Sequence, residues 1–152
     1  ATADLFQGAA CVVTPTERTP QDALDRVVAM WLGLGMTVRR LSPAEHDRLL
    51  AQVSHLPHVV AAALVRAVGP EAESLVGPGW ADTTRVASGD AALWCDILLS
   101  NAASVAEALG RFEQAVAEFR EALRQADAAR LEALLADAKS RRDGIIESKE
   151  AR

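Results

Sequence analysis

The chain has 152 residues, enough for one ordinary domain or for one domain with a fragment of another. Its net charge of -5 argues against nucleic-acid binding, which needs clustered Lys and Arg. Half of the residues are apolar but only 4% are aromatic and none is Tyr, so Ala, Leu and Val must build the core, a composition that favours helix.

The densest basic stretch, Lys139, Arg141 and Arg142, is interleaved with Asp137 and Asp143 and is expected to be a solvated helix face. Cys11 and Cys95 form neither a disulfide framework nor a metal pattern and suit a reducing, cytoplasmic setting. No run of the sequence reaches the roughly 18 apolar residues of a membrane span, and Asp4 with no basic flank does not resemble a signal peptide. No membrane partner is expected. The chain opens at Ala1 without Met, and the expectation is of processing, cutting or proteolysis of something longer.

In chain order, Ala9 to Val13 is a short β-branched run closed by Thr14-Pro15-Thr16, and it predicts a buried strand ending in a turn. A helix is expected from about Pro20, with Thr19 as N-cap and Asp22 in the first turn. Leu24, Val27, Val28, Trp31 and Leu32 share one face, Gly33 and Gly35 end the helix, and Thr37 to Leu41 predicts a second strand. Strand, helix and strand make one crossover unit, which cannot form a stable sheet alone. Residues 1–41 are therefore expected to be the end of a larger α/β domain, and residues 42–152 a separate helical one.

Ser42, Pro43 and Glu45 form a capping box that starts the helical part. Its pattern runs through Leu49, Leu50 and Val53, resumes after Pro57 to Val68, and breaks at Gly69-Pro70 and Gly77-Pro78-Gly79. The longest helix is predicted from about Ala91 to Ala126. Leu98, Val105, Phe112 and Phe119 recur every seven residues there, with Leu109, Val116 and Leu123 between or after them. Such a stripe predicts a bundle seam or a subunit interface, hence a homodimer. A last helix is expected around Ala129 to Lys139, followed by a charged tail.

Two constellations bear chemistry. His46, His55 and His58 invite a metal reading, but His46 and His55 fall on opposite helix faces, and two His ligands alone make a poor zinc site. No metal is expected. Pro57 either leaves the Val53 carbonyl without its donor and kinks one helix, or sits in the first turn of a new helix capped by Ser54. On local chemistry alone this is a capped, kinked core helix with a buried His. Further on, Arg85 follows a flexible loop and offers a planar fork to a carboxylate, with Asp82 three residues earlier as a partner to hold it. Taken alone, that pair is equally a surface ion pair of little energetic weight.

The segments Leu5-Phe6-Gln7-Gly8, Val13-Thr14-Pro15-Thr16, Glu45 to Ala51, Ser54-His55-Leu56-Pro57-His58 and Asp82-Thr83-Thr84-Arg85, followed by Trp94, Asp96 and Ile97, resemble prephenate/arogenate dehydrogenases in order and spacing. The resemblance covers about Leu5 to Leu123. It implies a mainly α fold: a helical dimerisation bundle preceded by a short β-α-β remnant of a Rossmann-type domain. It implies an oxidoreductase of tyrosine, hence aromatic amino acid, biosynthesis, in which NAD or NADP accepts hydride while prephenate or arogenate loses its ring carboxylate as carbon dioxide. By the same resemblance Arg85 binds a substrate carboxylate, Ser54 and His58 line the pocket, Asp82 positions Arg85, Trp94 sits near the site and can reach it from the other subunit, and His55 has a lesser role.

The sequence departs from the family at two points. The glycine-rich dinucleotide loop and the catalytic histidine are not found in these residues, and no G-x-G-x-x-G follows a strand. The cofactor is thus expected to be bound mainly elsewhere, and the fragment alone to be inactive. Pro78 also stands where the family usually has Gly. Two alternatives are a free-standing helical dimeric binding or regulatory module without catalysis, and a small helical mutase acting on a dicarboxylate; the latter needs several convergent cations, where only Arg85 stands out.

Overall fold

A computed structural model describes residues 4–150 of the chain, with side chains to residue 148; the outermost residues of both expected domains lie outside that range. Strands β1 (Ala10–Val13) and β2 (Thr37–Arg40) pair in parallel, Ala10 opposite Thr37 and Val13 opposite Arg40. Helix α1 (Gln21–Gly33) makes the crossover. It differs from expectation at both ends. Thr19 does not cap it: the Thr19 hydroxyl accepts the Thr16 N–H at 3.0 Å, and Pro20, which has no side-chain donor or acceptor, occupies the cap. The chain reverses after Gly33 at Gly35, whose φ of 81° lets the Gly35 and Met36 N–H groups bond back to Leu32 and Trp31. Trp31 meets Phe6 edge to face with ring centroids 5.9 Å apart, which ties the first turn to the helix.

The helical part opens at α2 (Pro43–Leu50) with the expected capping box. The Glu45 N–H reaches the Ser42 hydroxyl at 3.2 Å, and the Ser42 N–H reaches the Glu45 carboxylate at 2.9 Å. These bonds favour the ionised carboxylate and hold Glu45 below its ordinary pKa.

Pro57 neither kinks the chain into two pieces nor makes Ser54 a cap. Ala51–His55 is a π-helical turn in which the Leu56 N–H reaches back to the Ala51 carbonyl, and α3 (Leu56–Ala67) continues from it with Pro57 in its first turn. The wider turn absorbs the missing proline donor, so residues 43–67 form one 25-residue helix. That continuity corrects the reading of the sequence, which saw no membrane-length segment: by length and composition alone this helix is long and apolar enough to cross a membrane. Within the molecule it packs against α6 and against the turn that carries Arg85.

A 3₁₀ turn at Pro70–Leu75 leads to α4 (Pro78–Thr84), and a second at Arg85–Ser88 to α5 (Ala91–Ser100), capped by Asp90 through the Leu93 N–H at 2.8 Å. Pro78 takes the first helical position, where no N–H is needed. The expected single helix from Ala91 to Ala126 is two. Helix α6 (Ala102–Arg124) departs from α5 at 94°, with Asn101 at the break. Leu98 therefore lies on a different helix from the rest of its stripe. Val105 is buried and Leu109, Phe112 and Phe119 are half-buried, while Val116 and Leu123 face solvent.

Helix α7 (Ala128–Glu150) returns along α6 and includes the stretch expected to be a charged tail. Ion pairs one turn apart, Lys139 with Asp143 and Arg141 with Asp137, support that exposed extension. The centre of the fold is small: Ala51, Val105 and Ala108 are buried, with Leu56, Val59 and Leu98 packed around them. The chain exposes 11408 Å², whereas a compact monomer of this mass exposes about 7,400 Å².

Candidate functional site

The π-helical turn sets two histidine rings on the face that meets α5. His58 lies flat on Trp94, with centroids 3.5 Å apart and planes inclined by 12°, and His55 meets the same indole edge-on at 6.5 Å. His58 is buried, and its Nδ1 is enclosed without a hydrogen-bond partner among the described residues. Gly89 closes the stack from a third side. A Cβ built on it would lie 2.5 Å from Trp94 Nε1 and 3.1 Å from His58 Cε1, so the pair fits only because residue 89 has no side chain. Because Gly89 ends the Arg85–Ser88 turn, it also brings that turn against the histidine helix.

Beside the stack lies an open cavity of about 690 Å³, walled by His58, Val59, Arg66, Trp94, Cys95 and Leu98 together with small alanines. Its volume is within the range of small-molecule sites, and its wall is mostly apolar with one cation at the rim. His58 and Trp94 are the two expected site residues on this wall, and His55 adjoins it through Trp94. Ser54 is half-buried in the π-helical turn away from the wall. Arg85 and Asp82 are both exposed, and the expected ion pair between them is not formed. They stand on opposite sides of the change from α-helix to 3₁₀ turn at Arg85, where the regular side-chain spacing is lost. Among the described residues Arg85 has no ion-pair partner.

Three contributors were not read from the sequence. Gly89 carried no signal beyond being glycine before a helix cap. Arg66 looked like an ordinary solvated end of α3. Asn101 is the third: it is buried, donates to the Asp47 carbonyl at 2.7 Å and lies 3.3 Å from His55 Nδ1. Its signal was the adjacent Ser100-Asn101, two weak helix formers inside an apolar run.

Burial first, and then the neighbouring His46, lower the pKa of His55, with Asp47 opposing them. His46 itself turns to the Asp47 carboxylate at 3.0 Å rather than toward His55 or His58. Among the described residues no three His, Cys, Asp or Glu side chains gather where a metal ion could sit.

The cavity at the end of β1, lined by Val13, Thr14, Pro15, Thr19, Ala23, Leu24 and Val27, is only about 200 Å³. Helix α1 also begins without a glycine-rich cradle and places Asp22 in the first turn, where a pyrophosphate would need positive potential.

Comparison with known proteins gives a family for this geometry. Residues 42–137 match the model described as prephenate dehydrogenase, dimerization domain. The chain is 31% identical over 147 residues to a prephenate dehydrogenase of Bacillus subtilis, covering 93% of this chain and 40% of that protein. It is 34% identical over 132 residues to a cyclohexadienyl dehydrogenase of Zymomonas mobilis, covering 82% of this chain and 45% of that one. The crystal structure of A. aeolicus prephenate dehydrogenase in complex with hydroxyphenyl propionate and NAD+ superposes with a TM-score of 0.81 at 34% identity, over 93% of this chain and 52% of that one. The chain thus spans less than half the length of those two sequence relatives. The helical fold and the family-model match agree, and the chain belongs to the prephenate dehydrogenase family.

Proposed function

We propose that the chain is the substrate-pocket and dimerisation part of an NAD- or NADP-dependent dehydrogenase that converts prephenate, or arogenate, by oxidative decarboxylation. Residues 1–41 are read as the closing β-α-β unit of its nucleotide-binding domain and residues 42–152 as the helical domain. The family model's start at residue 42 supports that boundary. The observation that carries the proposal is the His58–Trp94 stack beside a cavity of about 690 Å³, with the Arg85 turn packed against the same helix.

The substrate is a dicarboxylate with a hydroxyl on its ring. Arg85, exposed and without an ion-pair partner among the described residues, is suited to one carboxylate by a charge-assisted, two-point bond. The apolar wall and the Trp94–His58 stack suit the ring, and Ser54 and His55 supply polar groups on the adjoining turn. Asp82, which does not touch Arg85 in the free chain, adjusts the arginine only indirectly in this reading. In this reading the dinucleotide is held mainly by residues other than those described, and the small cavity at β1 is in line with that. A cytoplasmic homodimer is the proposed form of the protein, in line with the dimerization-domain match.

Substitution Arg85→Ala in the intact enzyme tests the reading. Loss of a charge-assisted bond of about 1.5–3 kcal/mol predicts a fall of roughly 10- to 160-fold in kcat/KM for the substrate. Unchanged kcat and KM would remove Arg85 from the site. Calorimetric titration of the 152-residue chain with NAD and with a hydroxyphenylpyruvate analogue provides a second check. The expectation is no cofactor binding and weak analogue binding at most; tight NAD binding would overturn the division at residue 41.

A further inference from the structure

The geometry points to Asn101 as a positioning residue that fixes both the tautomer and the charge of His55. The argument begins at a backbone oxygen. The Asp47 carbonyl can only accept, so the carboxamide atom 2.7 Å from it must be the NH₂ group, which settles which way round the Asn101 amide lies. The same nitrogen is 3.3 Å from His55 Nδ1. An amide nitrogen donates and does not accept, so across this contact Nδ1 is the acceptor and the single proton of the neutral ring is on Nε2. Reversing the amide would set its oxygen against the Asp47 carbonyl oxygen. Protonating Nδ1 would set an N–H against an NH₂.

Asn101 is suited to this because of where it sits. It is buried at the break between α5 and α6, its N–H bonds to Leu98 and its carbonyl accepts from Val105, so backbone bonds on both sides hold its Cα. It therefore joins three elements: the end of α2 through Asp47, the π-helical turn through His55, and the corner from which α6 departs. The other groups facing His55 are His46 and Asp47 from its own helix and the uncharged Trp94 from α5. His46 disfavours a second positive charge and Asp47 favours one. Burial and the fixed donor from Asn101 add to the first. Beside the proposed pocket, and resting on that proposal, His55 then carries its proton as a neutral Nε2–H donor and does not take up a proton at Nδ1.

Nitrogen-15 spectroscopy of the intact protein labelled at histidine, with His55 assigned by its loss in His55→Gln, tests the inference without a turnover assay. The expected result is a pyridine-like Nδ1 and a pyrrole-like Nε2 at neutral pH. An Nδ1–H tautomer, or equal exchange between the two, would overturn it even if the enzyme turns over as proposed. Asn101→Asp then exchanges donor for acceptor: the proton should move to Nδ1, and the His55 titration midpoint should rise by about one unit or more. A folded Asn101→Asp protein with unchanged tautomer and midpoint would also overturn it. If that variant does not fold, the unmodified protein's spectrum decides.

Discussion

Gly89 is in contact with the indole and the imidazole that form the stack, and nothing in its chain neighbours advertises the fact. Gly89→Ala would push a methyl group into Trp94 Nε1 and His58 Cε1. We expect it to lower stability by about 1–3 kcal/mol, as overpacking does, read as a lower urea midpoint, and to spread the stack. A midpoint equal to that of the unmodified protein would mean that the two rings shift freely. His55 gives a prediction in pH. Its folded pKa lies below the ordinary 6.5, so the unfolded chain binds the proton more readily. The stability that His55 contributes is whole above pH 6.5 and is lost as pH falls from there through the lowered value. His55→Gln should flatten that fall in urea midpoints taken across the range, and an unchanged slope would assign it elsewhere. At this scale His55, His58 and Trp94 were legible because they stand in a motif string. Asn101 and Gly89 were not, because Asn101 acts on Asp47 and His55 and Gly89 closes on His58, all more than thirty positions away.

Helix ends were legible at some local signals and misread at Thr19, whose hydroxyl bonds to Thr16 instead of capping α1. The Ser42 box and the Gly35 reversal use side-chain or φ preferences that read the same in any fold. Internal irregularities were less so. Pro57 announces a disturbance but not that a π-helical turn will absorb it, and the seven-residue stripe from Leu98 ran through Asn101 because apolar spacing is blind to a change of axis. The turn between α6 and α7 carries another irregularity. Ala126 has a φ of 51°, and the Asp127 N–H bonds back to Ala122 while the Ala126 N–H bonds to Leu123, the pattern usually completed by glycine. Asp127 then caps α7 through the Arg130 N–H at 3.0 Å. Ala126→Gly removes the strain of a Cβ in the left-handed region and loosens the unfolded chain. We expect a net gain of about 0.5–1 kcal/mol in chemical denaturation, and a loss would show that the alanine methyl packs usefully.

For the whole molecule, the revealing quantity is how little is hidden. Among the described residues the buried apolar ones are Leu24, Ala51, Ala61, Val105, Ala108 and Ala122, while Leu93, Leu99, Leu123 and Ile145 are each more than half exposed. Composition foretold a helical chain built from Ala, Leu and Val, yet no one-dimensional pattern can say whether an apolar face is covered by its own chain or by another. Covering these faces with a second copy is the simplest arrangement, and light scattering at micromolar concentration should report a dimer. A monodisperse monomer would count against it. A chain that shares its core in this way has no fixed stability of its own. By mass action, each tenfold dilution should withdraw about 1.4 kcal/mol of the folded dimer's margin, so its melting temperature should move with the concentration in the cuvette.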